Sequence, residues 1–176
     1  LGKKMEDHYS ATPAKSHKSH PSLLKLLQRN RSHRAYDVSF QVREDQLRRI
    51  IEVNRYTPSA RNQQVLRFRM VLSDEAEKVL PHIRLGAALP ELNLPQKGSE
   101  PRAFIIICSI AEESRFVDID LGIAVQSMLL QATEIGLNGI CIAAFDKQRI
   151  KEQFKLPYEP LMILAIGRGK DNIVLT

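Results

Sequence analysis

The stretch DLGIAVQSMLLQATEIGLNGICIAAFD, residues 120–146, decides the fold. Leu121, Ala124, Val125, Met128, Leu129, Ala132 and Ile135 recur at helical spacing, so IDLGIAVQSMLLQATEIG reads as a long helix with one broad apolar face. Gly136 supplies a residue suited to the left-handed conformation that commonly ends a helix. NGICIAAF, directly behind it, lacks polar alternation and reads as a buried strand. A long helix running straight into an apolar strand specifies a helix packed on a sheet.

Working outward, AFIIICSI (103–110) is apolar on both faces and predicts a central strand. VLRFRMVLS (65–73) alternates Arg67 and Arg69 against Phe68 and Met70, a half-buried strand, and EPLMILAIG (159–167) predicts a last one. PSLLKLLQRN predicts a short helix capped by Ser22, with Leu23, Leu24, Leu26 and Leu27 as its greasy face. VREDQLRRIIEVN predicts a second helix, acidic in its first turn, with Leu47, Ile50, Ile51 and Asn54 on one face. DEAEKVLPHI and FDKQRIKEQFKL predict two further short helices, and RSHRAYD (31–37) is too polar for the core. Residues 86–101 hold three prolines and two glycines and form the one long irregular segment, a candidate lid or partner-contact loop. Helices and strands are mixed rather than strictly alternating, an α+β pattern.

The length of 176 residues suits one domain, expected over residues 21–176. Residues 1–20, rich in Lys, Ser and His with little to bury, read as a flexible arm, and the irregular spacing of His8, His17 and His20 suggests no metal site. The two cysteines, Cys108 and Cys141, lie in apolar runs and read as buried reduced thiols. No apolar run approaches the ~20 residues that span a bilayer, and the polar start has no signal-peptide stretch, so cytoplasm is the expectation.

Charge is uneven. Residues 1–70 carry fifteen Lys/Arg against six Asp/Glu, which is +9 of a total of +6, so residues 71–176 sum to −3. A basic half attracts nucleic acid or a phosphorylated small molecule. Aromatic residues are only 6% of the chain and no recognition motif is readable, which favours the small molecule. A basic nucleic-acid-binding module remains the competing class.

The chain has no HExxH, GxSxG, P-loop or GxGxxG, and no side chain stands in a nucleophile's setting. An enzyme built this way leaves the chemistry to a bound cofactor. Two polar segments exceed what folding needs. Arg31-Ser32-His33-Arg34 sets two guanidinium groups around a hydroxyl, a set able to fork onto phosphate oxygens. TPSARNQQ (57–64) has Pro58 to fix a turn, small Ser59 and Ala60 to admit a flat ring, and Asn62 and Gln64 to match a polar ring edge. Taken alone, either segment is also a solvated linker or a helix end.

RSHRAYD, a helix ending in TPSARNQQ, the 120–146 stretch and LPYEPLMILAIGRGKDNIVL together resemble, in that order over residues 22–176, the nitroreductase family of flavoproteins. The resemblance implies a three-layer α/β/α fold with a mixed, mainly antiparallel sheet and one long central helix. It implies FMN held at a homodimer interface, NADH or NADPH as reductant, and a small organic acceptor of nitro or quinone type reduced in the same slot by a ping-pong mechanism. Carried over by position, Arg31, Ser32 and Arg34 would bind the phosphate and ribityl chain. Pro58, Ser59, Ala60 and Asn62, from the partner chain, would line the ring, and the backbone at Ala143 and Ala144 would face its N5/O4 edge. A member of the fold without flavin chemistry is a further alternative. Val65-Leu66 stands where the family has a Pro-aromatic pair and Ala143-Ala144 replaces an acidic-glycine pair; for the basic residue that many members place near the C-terminus, either Arg168 or Lys170 substitutes, a longer tail is missing, or phosphate binding is weaker.

Overall fold

A computed structural model describes residues 21–86 and 90–174; the expected arm, residues 1–20, lies outside them. The run AFIIICS becomes strand β2 (Ala103–Ser109), buried along its whole length. Such a strand needs cover on both sides, and the sheet supplies it. The order is β1 (Leu66–Val71), β2, β4 (Glu159–Gly167), β3 (Asn138–Ile142). All three ladders are antiparallel, with a bulge between Ile107 and Cys108 where β2 meets β4.

Period-two alternation sorts the core into two layers. Ala103, Ile105 and Ile107, with Leu164 and Ile166, pack under the long helix α3 (Arg115–Glu134) and under Leu47 and Ile50 of α2 (Glu44–Glu52). Phe104, Ile106 and Cys108, with Ile140, Ile142 and Ile163, pack against Val79, Ile83, Tyr36 and Ile150 of α4 (Lys147–Gln153). The result is the three-layer α+β arrangement expected from the sequence.

The long helix starts at Arg115, earlier than its stripe suggests, because Ser114 accepts the Val117 N–H at 3.4 Å and caps it. It ends as expected at Gly136, φ +81°, where the Leu137 N–H returns to the Ala132 carbonyl at 2.8 Å. The apolar stripe is buried except for Ile135, which is half-buried.

Three expectations are corrected. DEAEKVLPHI is not an α-helix but two 3₁₀ turns, Ala76–Lys78 and Leu80–His82, since Pro81 has no N–H and disfavours helical backbone at Leu80. RSHRAYD is not excluded from the core: Tyr36 is 1% and His33 8% exposed, and the Tyr36 hydroxyl donates to the His33 carbonyl at 2.8 Å. Cys108 is buried but Cys141 is exposed, because β3 is an edge strand and its face at Cys141 looks out of the sheet. Helix α1 (Leu23–Arg29) forms as expected, capped by Ser22; it buries none of its residues, and Leu23, Leu24 and Leu27 are exposed on the single chain.

Candidate functional site

The polar segment 31–37 runs along the free edge of β3. Ser32 bridges Gly139 in parallel, the His33 N–H reaches the Gly139 carbonyl at 3.3 Å, and Tyr36 bridges Gly169. Glycine is required at both contacts: a Cβ on Gly139 would stand 2.7 Å from the Ala165 carbonyl oxygen, and one on Gly169 would stand 2.2 Å from His33 Nδ1. Gly139, inside the edge strand, thus marks the close approach of the β4 backbone, and Gly169 that of the His33 side chain.

This docking turns Arg31, Ser32 and Arg34 onto one wall of a cavity of about 1000 Å³, whose other walls include Gly122, Gln126, Gly139 and Cys141. Arg31 Nη2 donates to the Leu27 carbonyl at 3.1 Å, the last turn of α1, and Arg34 Nη1 to the Ser32 carbonyl at 3.4 Å. The Nε atoms of both arginines are buried and have no partner among the described residues. A guanidinium N–H without an acceptor inside a protein costs free energy, on the order of 1–3 kcal/mol.

The C-terminal segment closes one side. Neither Arg168 nor Lys170 lines the cavity; Asp171, Asn172 and Ile173 do. Arg168 is drawn off to stack on Phe40, 4.1 Å from the ring centroid, with Asp37 3.9 Å away. Asp171 Oδ2 accepts the N–H groups of Arg34 at 2.6 Å and Ala35 at 3.1 Å and lies 3.4 Å from His33 Nδ1. Burial holds the His33 pKa below its ordinary value, and the Asp171 charge opposes that shift. Asp171 therefore braces the arginine loop through its backbone.

The other expected site residues lie elsewhere on the chain. Pro58 and Ser59 line a second cavity of about 320 Å³, between the end of α2, β1 and α3. Ala60 lines a neighbouring one of about 350 Å³ with Phe116 and Val117. Asn62 is exposed, and its Oδ1 accepts from Gln64 Nε2 at 3.0 Å. Ala143 and Ala144 border a fourth cavity, of about 500 Å³, with His82 and Arg84. A single chain thus gathers Arg31, Ser32 and Arg34, and keeps the 58–62 turn and Ala143-Ala144 apart from them.

Three residues escaped the sequence reading. Asp171 and Asp120 reach partners 137 and 60 residues away, and no local pattern reveals such contacts. Gly139 carried a signal, a glycine within an apolar strand.

A four-stranded antiparallel sheet covered on both faces, with a paired-arginine cleft beside its edge strand, defines a three-layer α+β protein with a basic cavity at the sheet edge. The particular family follows from comparison. The sequence profile of the nitroreductase family matches residues 27–168, and the chain belongs to that family. A protein of Exiguobacterium sibiricum named as a nitroreductase and solved in complex with FMN superposes with a TM-score of 0.70 at 18% identity, covering 92% of this chain and 96% of that one. A protein of Staphylococcus epidermidis named as an NAD(P)H:FMN oxidoreductase superposes at 0.68 with 21% identity, covering 88% and 92%. At these identities the likeness is one of fold. A Methanocaldococcus jannaschii protein named as a nitroreductase is 33% identical over 54 residues, 31% of this chain and 27% of that protein.

Proposed function

We propose that the chain is an FMN-dependent oxidoreductase that passes electrons from NADH or NADPH to a small organic acceptor of nitro or quinone type. The observation that carries this reading is the pair of guanidinium side chains, Arg31 and Arg34, that line the 1000 Å³ cavity together with Ser32. The residues fit the group: a cavity at the upper end of the usual ~300–1,000 Å³ range for ligand sites, guanidinium donors for a phosphate, and a glycine-lined edge for a ring. FMN, when bound, supplies the two-electron chemistry that no side chain of the cleft offers.

The chain's own contribution is placement. Arg31 and Arg34 would hold the phosphate with Ser32, and Asp171 would keep their loop fixed against β3. The 58–62 turn would serve the cofactor of a second copy, which is why one chain can leave it in a separate cavity. The expected meeting of the Ala143 and Ala144 backbone with the reacting edge has no support on the single chain, where both residues border a cavity separate from the arginine cradle. The E. sibiricum complex and the S. epidermidis protein's name support FMN and a nicotinamide reductant. Alternation of reductant and acceptor in one slot fits the absence of a side-chain nucleophile or base from the expected set.

Purified protein should be yellow, or become so with FMN, and should bleach when NADH or NADPH is added without air. Arg34→Ala should lower flavin occupancy by about tenfold or more, the value of a charge-assisted hydrogen bond. A colourless protein that cannot be reconstituted with FMN overturns the reading, and unchanged occupancy in Arg34→Ala overturns the phosphate assignment.

A further inference from the structure

The 59–64 turn is held in an unfavourable shape. Arg61 and Asn62 both have φ +54° and Gln64 has φ +48°, left-handed backbone at three residues that are not glycine. Side chains resist this conformation, and it persists only where surrounding contacts over-determine it, most often at functional sites. Contacts within the turn supply part of the hold: the Asn62 N–H to the Ser59 carbonyl at 3.0 Å, and the Gln64 N–H to Ser59 Oγ at 3.1 Å. These fix the turn's shape but not its place on the molecule.

Its place is set from α3. Asp120 is 6% exposed, and its carboxylate receives the Ala60 N–H on both oxygens, 2.9 Å to Oδ1 and 3.2 Å to Oδ2. Among the described residues Asp120 enters no ion pair. A buried carboxylate devoted to one backbone N–H is an expensive way to close a loop, since desolvating the charge offsets much of the bond. Its benefit is geometric. The donor it takes belongs to the first residue of the 3₁₀ turn Ala60–Asn62, and the acceptor sits on the helix whose Gly122, Val125, Gln126 and Leu129 wall the arginine cavity. Asp120 also borders the cavities on both sides of the turn.

We infer that Asp120 is a positioning residue that registers the strained 58–62 turn against α3, so that the turn meets the cofactor held by a second copy in a fixed pose. This rests on the proposed function for its consequence, while the registration itself does not depend on flavin. The helix that walls one chain's arginine cavity thereby also carries the turn addressed to the partner's.

The test uses the full chain. Asp120→Ala removes the acceptor and Asp120→Asn keeps its shape with a neutral, weaker one. In flavin-free protein, hydrogen exchange of the Ala60–Gln64 amides should quicken in both variants, while that of β2 is unchanged. FMN affinity should fall about ten- to a hundredfold in Asp120→Ala, with a smaller fall in Asp120→Asn. Adding Arg61→Gly to either variant should restore part of the affinity, because glycine adopts φ +54° freely; a merely structural carboxylate would show no such rescue. If Asp120→Ala does not fold, Asp120→Asn carries the comparison. Wild-type protein that binds no FMN overturns the flavin reading, and the exchange experiment then decides the registration alone. Wild-type protein that binds FMN, beside variants with unchanged affinity and unchanged exchange at 60–64, overturns the inference and leaves the flavin reading standing.

Discussion

Gly139→Ala joins fold and site in one substitution. The new methyl carbon would stand 2.7 Å from the Ala165 carbonyl oxygen, 2.8 Å from Leu129 Cδ2 and 3.0 Å from Ile166 Cδ1. The two side-chain ends can rotate away, but the carbonyl is held in the β3–β4 ladder, so the backbones of β3 and β4 must part locally. Overpacking of this kind costs about 1–3 kcal/mol, against which the smaller entropy of the unfolded alanine chain returns about 0.4–1 kcal/mol. The net loss of roughly 1–2 kcal/mol corresponds to a fall in Tm of about 2–8 °C at this chain length. Because the Gly139 carbonyl also receives the His33 N–H at 3.3 Å, the shift should reach Arg31 and Arg34 and weaken FMN binding as well. Thermal unfolding and flavin titration read both effects. Ile150→Val, in the opposite core layer, is the control: a loss of about 0.5–1.5 kcal/mol with flavin affinity retained. A Gly139→Ala protein with wild-type Tm and wild-type FMN affinity would refute the close-approach argument, and one matching Ile150→Val would refute its link to the arginine loop.

The two thiols should separate cleanly under alkylation. Cys141 is exposed and lines the arginine cavity, whereas Cys108 is buried and its pKa is pushed up to about 11, mainly by burial. A maleimide should label one cysteine in the native protein and two after unfolding, and FMN should slow the native labelling; two native labels would contradict the buried β2 face. His33 should make the fold acid-sensitive. Its pKa is lowered in the folded state, chiefly by burial, so the unfolded chain takes up the proton first as pH falls below the ordinary 6.5. Stability contributed by the neutral ring is therefore complete above that pH and is lost as pH falls toward the folded-state value. Denaturant midpoints between about pH 5 and 8 should slope more steeply for wild type than for His33→Asn, and parallel slopes would remove His33 from the account.

The sequence was most legible where local pattern and burial make the same demand. The stripe Leu121 to Ala132, the run 103–109 and the Gly136 stop each encode their environment within a few residues. DEAEKVLPHI misled because its apolar spacing suits a helix while Pro81 locally forbids one. Tyr36 and His33 sit in a polar string, and only the edge of β3 and the approach of Gly169 make a buried place for them. Within the site, Arg31, Ser32 and Arg34 were readable because a phosphate cradle is compact in sequence. Asp120 offered a faint signal, an acid four residues before Ala124 on the buried face of α3, but its meaning depends on a turn 60 residues away.

Helix α1 shows why cofactor and partner belong to one problem. It is seven residues long and buries none of them, whereas isolated helices shorter than about 12–15 residues are marginal in water. Leu23 is 63% and Leu24 64% exposed, and Phe116 and Ile119, early in α3, are exposed as well. Covering these surfaces would supply the stability that α1 lacks alone. A second copy is the cover that the proposed function already calls for. The end of α1 is tied to the cradle, since Leu27 lines the cavity and its carbonyl receives Arg31 Nη2. On that reading, ordering α1 by association orders an arginine that would grip the phosphate, and occupancy of the phosphate site strengthens association in return. The two equilibria are then linked, and neither can be altered without moving the other.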